Sequence, residues 1–168
     1  MKALDRRDEI YKLILNSNKA IKGIELAEIF LVTRQIIVKD IAILRASGKN
    51  IIATPEGYIY NKEINKVKII IAVNHNEEDT ARELEIVVKY GGFIEDVIIE
   101  HSIYGEIRAS LMIKNLNDLN KFINKLNSNG TKPLSNLTNG VHLHTISADT
   151  EEDINLIKEE LKIKGFLL

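Results

Sequence analysis

The chain of 168 residues has no cysteine, no tryptophan and only two prolines. The missing cysteine excludes disulfides, thiolate metal sites and cysteine nucleophiles together. No fully apolar stretch is long enough to span a bilayer. The opening segment MKALDRRDEIYK has no apolar h-region and does not read as a signal peptide, so a cytoplasmic setting and no membrane partner are expected. A strong excess of one charge is also lacking. The formal net charge is −1, which taken alone argues against a nucleic-acid partner. That sum hides a division. Residues 1–62 hold eleven Lys/Arg against seven Asp/Glu, a net of +4, and residues 63–168 hold twelve against seventeen, a net of −5. A basic segment joined to an acidic one is the asymmetry of a DNA-reading module on a body that does not touch DNA. With hydrophobic residues at 45%, each part has material for a core.

Apolar periodicity in the first part predicts three helices. Ile10, Leu13 and Ile14 recur at helical spacing after a candidate N-cap at Asp5. A short helix follows over Ile24 to Phe30. Thr33 caps a third helix that carries Ile37, Ile41 and Leu44 inward and ends at Gly48. In IIATPEGYIY, residues 51–60, two β-prone runs flank Thr-Pro-Glu-Gly, which predicts a hairpin. Three helices and a hairpin form the order of a winged helix-turn-helix. Residues 61–66, NKEINK, read as a linker or strand lead-in, and the domains are expected to be 1–62 and 63–168.

The second part reads as an α+β layer in the order β-α-β-β-α-β-α. Strands are expected over 67–73, 93–100, 106–113 and 141–147. Helices are expected over 77–90, over 116–126 and after a Thr150 cap, with a short strand near Leu134.

A helix-turn-helix sets the start of its second helix against base edges in the major groove. That start is Thr33-Arg34-Gln35, with Lys39 a turn further on. Arg34 can contact guanine in bidentate fashion and Gln35 adenine, while Thr33 and Lys39 suit phosphates. One small reader discriminates weakly, so a homodimer on double-stranded, palindromic operator DNA is expected.

All four histidines lie in the second part: His75, His101, His142 and His144. His142 and His144 flank one residue on a strand and so share a face. His75 follows the first strand and precedes the helix that carries Glu83. If the first and last strands are neighbours, these four groups meet, in a set without sulfur that suits Zn, Ni, Fe or Mn. His101 either lines an effector pocket with Tyr104 or caps a strand end.

The segment GIELAEIFLVTRQIIVKDIAILRASGKNIIATPEGYIY resembles the winged helix-turn-helix of bacterial regulators. NHNEEDTARELEIVVKYGG, EHSIYGEI and GVHLHTI resemble the 3H domain, named for its histidines. Joined in this order they resemble the niacin-responsive repressors of NAD biosynthesis. The resemblance implies an HPr-like α/β sandwich for the 3H domain, repression of genes for NAD synthesis or niacin uptake, and nicotinic acid as corepressor. It also implies one divalent transition metal per chain on His75, Glu83, His142 and His144. One departure stands out: Thr33-Arg34-Gln35 replaces the usual Ser-Arg-Gln, and Thr caps nearly as well. Nicotinate contacts are expected from His101, Tyr104, Arg82 and Arg108. Three alternatives stay open: a metallohydrolase fused to a DNA module, a regulator for which the metal itself is the signal, and a plain interaction module that binds no metal. For the hydrolase Glu78 or Asp79 would have to serve as base, and nothing in the sequence marks them for it.

Overall fold

Helix α1 (Ala3–Asn16) turns Ile10 and Ile14 fully inward, against α2 (Gly23–Phe30) and α3 (Arg34–Ala46). A hairpin of β1 (Ile51–Thr54) and β2 (Gly57–Tyr60) follows, paired Ile51 to Tyr60. The computed structural model describes residues 2–61, 66–128 and 130–168. It divides into two compact units, Met1–Glu63 and Ile64–Leu168, each with its own core. The boundary expected between residues 62 and 63, and most of the NKEINK segment, lie outside the described residues. No helix among the described residues is long and apolar enough to cross a membrane.

Two local expectations are corrected in the first unit, and one buried acid is added. Helix α1 starts earlier than expected, with Lys2 at its N-cap and Asp5 in its first turn, where the carboxylate meets the positive end of the helix dipole. Leu13 stays 38% exposed, at the margin of the stripe made by Ile10 and Ile14. Asp40, which the apolar spacing passes over, is buried on α3 and accepts from Arg6 Nε at 2.7 Å and Arg7 Nη1 at 3.5 Å. That carboxylate braces α3 against α1.

Gly57 fixes the hairpin to the rest of the unit. Its φ is +134°, and a Cβ there would meet the Ile21 carbonyl oxygen at 2.5 Å. The approach exists because Ile21 and Tyr58 exchange both backbone hydrogen bonds, at 3.0 and 2.9 Å. Gly57→Ala should therefore cost about 3 kcal/mol through overpacking and backbone strain. A far-UV circular dichroism melt checks this, and an unchanged midpoint would contradict it.

The second unit is a four-stranded antiparallel sheet of β3 (Val67–Asn74), β4 (Phe93–His101), β5 (Gly105–Ile113) and β6 (Val141–Ala148), in the order β3-β6-β4-β5. Helices α4 (Thr80–Lys89), α5 (Leu116–Ser128) and α6 (Glu151–Ile163) contribute Leu84, Val87, Leu119, Ile154, Ile157 and Leu161 to a single core with the sheet. The element order is the expected β-α-β-β-α-β-α. A 3₁₀ turn over Glu77–Asp79 precedes α4, and a second over Leu134–Thr138 replaces the strand expected near Leu134. Pro133 at the head of that turn removes a ladder donor and favours such a bend. The C-terminal Leu167 bridges Val73 on the free edge of β3.

The register positions the site. Val73 pairs with His142 and Ile71 with His144, so both histidines point the same way as the core residues Ile71, Val73 and Ile146. The imidazoles thus prolong the hydrophobic stripe of β6.

Candidate metal centre and nucleic-acid interface

Four side chains from three places in the chain converge at the end of the second core. His75 leaves the end of β3, Glu83 points in from α4, and His142 and His144 project from β6; all four are buried. Ligand atoms of His75, Glu83 and His142 lie within 4.8 Å of one another. Glu83 Oε2 stands 3.6 Å from His75 Nε2 and 3.4 Å from His144 Nε2. The His142 ring is edge-on to His75, with centroids 5.0 Å apart, and to His144 at 4.8 Å.

Each imidazole is oriented through its other nitrogen. His75 Nδ1 faces the Asn76 carbonyl at 2.7 Å and His142 Nδ1 the Gly140 carbonyl at 2.8 Å; His144 Nδ1 faces the Asp96 carbonyl. A carbonyl only accepts, so each Nδ1 carries the hydrogen and each Nε2 is left for another task. The Gly140 corner is tight: its φ is +94°, and a Cβ there would run into the His75 carbonyl. The chain segments bearing His75 and His142 are therefore seated against each other.

Glu83 is fully buried, yet neither of its carboxylate oxygens has a hydrogen-bond donor among the described residues, and neither does His75 Nε2. A buried carboxylate without a partner is costly. Facing imidazole lone pairs, it needs positive charge, supplied by protons or by a cation. The electrostatics agree. Burial works to raise the Glu83 pKa, but His144 and the other imidazoles hold it down at about 2. Burial, with the His144 charge added, lowers His142 to about 4. Burial also opposes charge on His75 and His144, yet Glu83 together with the Asn76 carbonyl at His75 and with Asp96 at His144 outweighs it, and both are raised. Three nitrogen donors and one ionised oxygen donor, with orphaned lone pairs and no sulfur, fit a divalent transition ion.

The residues expected to meet an effector lie on three elements and a turn: His101 on β4, Tyr104 in the β4–β5 turn, Arg82 on α4 and Arg108 on β5. His101, at the end of β4, tilts against Tyr104 with centroids 5.1 Å apart, and its Nδ1 accepts from Ile103 and Tyr104 backbone N–H groups. His101 therefore shapes the β4–β5 turn. Arg82 pairs with Asp79 at 2.7 Å and lies 6.0 Å from the Phe166 ring, which is edge-on to His75. Arg108 pairs with Asp96 and Glu106. The structure brings His101 and Tyr104 together and leaves each arginine in its own ion pair. Asp96 is the residue near the cluster that sequence reasoning missed; no spacing marks it.

In the first unit, α2, the turn through Leu31 and α3 form the helix-turn-helix. Leu31 adopts a left-handed φ of +54° in that turn. Thr33 caps α3 by accepting from the Ile36 N–H. Arg34, Gln35 and Lys39 are exposed, while Ile37, Asp40, Ile41 and Leu44 of the same helix are buried. The exposed side thus presents an arginine, a glutamine and a lysine, side-chain types that can contact base edges or phosphates.

Comparison with known proteins matches both units. Residues 6–59 match the HTH domain family and residues 68–168 the 3H domain family. The chain is 44% identical over 164 residues to a protein of Thermotoga maritima described as "Probable transcription repressor NiaR", covering 98% of this chain and 94% of that one. It is 38% identical over 168 residues to "Transcription repressor NadR" of Bacillus subtilis, covering 98% and 93%.

Proposed function

The chain belongs to the family of transcription repressors that join a helix-turn-helix to a 3H domain, and from that premise we propose that it represses genes of NAD biosynthesis or niacin uptake, with nicotinic acid as corepressor. The observation that carries the sensory half is Glu83, a buried carboxylate without a donor among the described residues, ringed by imidazoles whose Nδ1 positions are already engaged. His75, Glu83, His142 and His144 would hold one divalent metal per chain, Ni, Zn, Fe or Mn. When bound, such an ion supplies positive charge and can accept the carboxylate or pyridine nitrogen of a ligand.

This chain's own residues do the rest. Arg82, held above Phe166 beside His75, is the cation best set to meet a pyridine carboxylate; His101, Tyr104 and Arg108 complete the proposed contacts. Thr33, Arg34, Gln35 and Lys39 read operator DNA, and a homodimer doubles those contacts on a palindrome. Corepression requires nicotinate to bind the DNA-competent state more tightly, with a coupling of about 1–3 kcal/mol. DNA as the target implies work in the cytoplasm. The relatives, named as repressors, lend nothing to the hydrolase alternative.

With Ni²⁺ present, saturating nicotinate is expected to tighten operator binding about 5- to 150-fold in a gel shift. No tightening would overturn the corepressor assignment. If Ni²⁺ alone produced the full effect, the protein would be a metal sensor.

A further inference from the structure

His144 is the one imidazole of the cluster whose anchor comes from a distant strand, and the way that anchor is made free is unusual. Strand β4 crosses β6 with a bulge. Ile94 pairs with Ile146 and Ile98 with Leu143, so three residues of β4 oppose two of β6. Asp96 sits at the centre of the bulge and is buried. In a regular antiparallel ladder, backbone N–H groups of one strand bond to backbone carbonyls of the other. Here the Thr145 N–H donates instead to the Asp96 side chain, to Oδ1 at 2.9 Å. The Asp96 backbone carbonyl is thereby released to accept from His144 Nδ1. The other carboxylate oxygen, Oδ2, is held by Arg108 Nη1 across β5 at 2.8 Å.

The geometry points to Asp96 as a positioning residue: its carboxylate stands in for its own carbonyl in the β4–β6 ladder, so that the carbonyl can hold His144 with Nε2 turned toward Glu83. This deepens the metal reading and rests on it for its functional meaning. The placement of the His144 hydrogen, however, can be tested without metal. A bulge that exists only to bend the strand needs no carboxylate, since any residue carries the carbonyl. What needs the carboxylate is the Thr145 N–H, which otherwise competes for that carbonyl or stays buried without an acceptor. Partners that orient metal ligands in this way typically contribute about 10- to 100-fold in metal affinity.

The test compares Asp96→Ala, Asp96→Asn and Arg108→Met in the full chain. Two quantities are read: Ni²⁺ affinity by chelator competition, and the His144 ring tautomer in the metal-free protein by ¹H–¹⁵N NMR in mildly alkaline buffer. Asp96→Ala should weaken Ni²⁺ binding about 10- to 100-fold and take the hydrogen from His144 Nδ1. Asp96→Asn keeps an acceptor for Thr145 and should keep the Nδ1–H tautomer with a much smaller loss of affinity. Arg108→Met should leave the tautomer unchanged. If Asp96→Ala does not fold, Asp96→Asn decides: loss of the Nδ1–H tautomer there overturns the assignment. So does wild-type affinity and tautomer in a folded Asp96→Ala. Wild-type protein that binds no Ni²⁺ would sink the metal reading instead, while the tautomer comparison still judges Asp96.

Discussion

Glu83→Gln is expected to abolish the stabilisation that a divalent metal confers. A ligand present at about a thousand times its dissociation constant stabilises the folded state by about 4 kcal/mol. That gain requires a charged oxygen donor among the imidazoles, and Glu83 is the one carboxylate in the cluster among the described residues. An amide keeps the volume and the position on α4, and its oxygen is a far poorer partner for a transition ion. Thermal melts with and without Ni²⁺ should separate widely for the wild type and coincide for Glu83→Gln. Glu85→Gln, on the exposed side of the same helix, should behave as wild type. If Glu83→Gln shifted with metal as far as the wild type does, the four residues would not be the ligands.

Arg34→Ala carries the second large effect. A bidentate contact to guanine contributes about 1–3 kcal/mol of discrimination, and the expected dimer makes it twice. On an operator selected from random DNA by the protein itself, the variant should lose about 5- to 150-fold per half-site, with relaxed preference at one base position. Lys39→Ala should differ in kind. It should weaken binding to all sequences similarly and lower the salt slope by about one. If the base preference of Arg34→Ala equalled that of the wild type, the start of α3 would not be the reader.

Much of this was legible because two kinds of periodicity carry information. The two-residue period of a strand is enough to set His142 and His144 on one face, and the helical period sufficed for Ile37, Ile41 and Leu44. The meeting of His75 and Glu83 with that pair needed one topological assumption, that the first and last strands of the unit are neighbours; the register of Val73 with His142 meets it. Other features left no trace in spacing. Asp40 lies between Ile37 and Ile41 on α3, and only the Arg6 and Arg7 side chains reaching it from α1 account for a buried acid there. The role of Asp96 depends on a bulge, and a bulge is a property of two strands rather than one. The bend over Leu134–Thr138 replaces the expected strand because Leu134 and Leu137 stand three apart around Ser135 and Asn136, the spacing of a 3₁₀ turn rather than the two-residue period of a strand.

The anchors of the imidazoles differ in how far they lie along the chain, and this bears on how such a cage is inherited. His75 leans on the next residue's carbonyl and His142 on one two positions back, whereas the anchor of His144 is 48 positions away. Two of the rings therefore arrive pre-oriented within short peptides that any lineage can transmit intact. Insertions at the β4–β5 turn, or between α5 and the bend before β6, would lengthen loops without touching those peptides. The third ring ties the cage to one strand pairing, so a slip between β4 and β6 is the change that descent could least absorb.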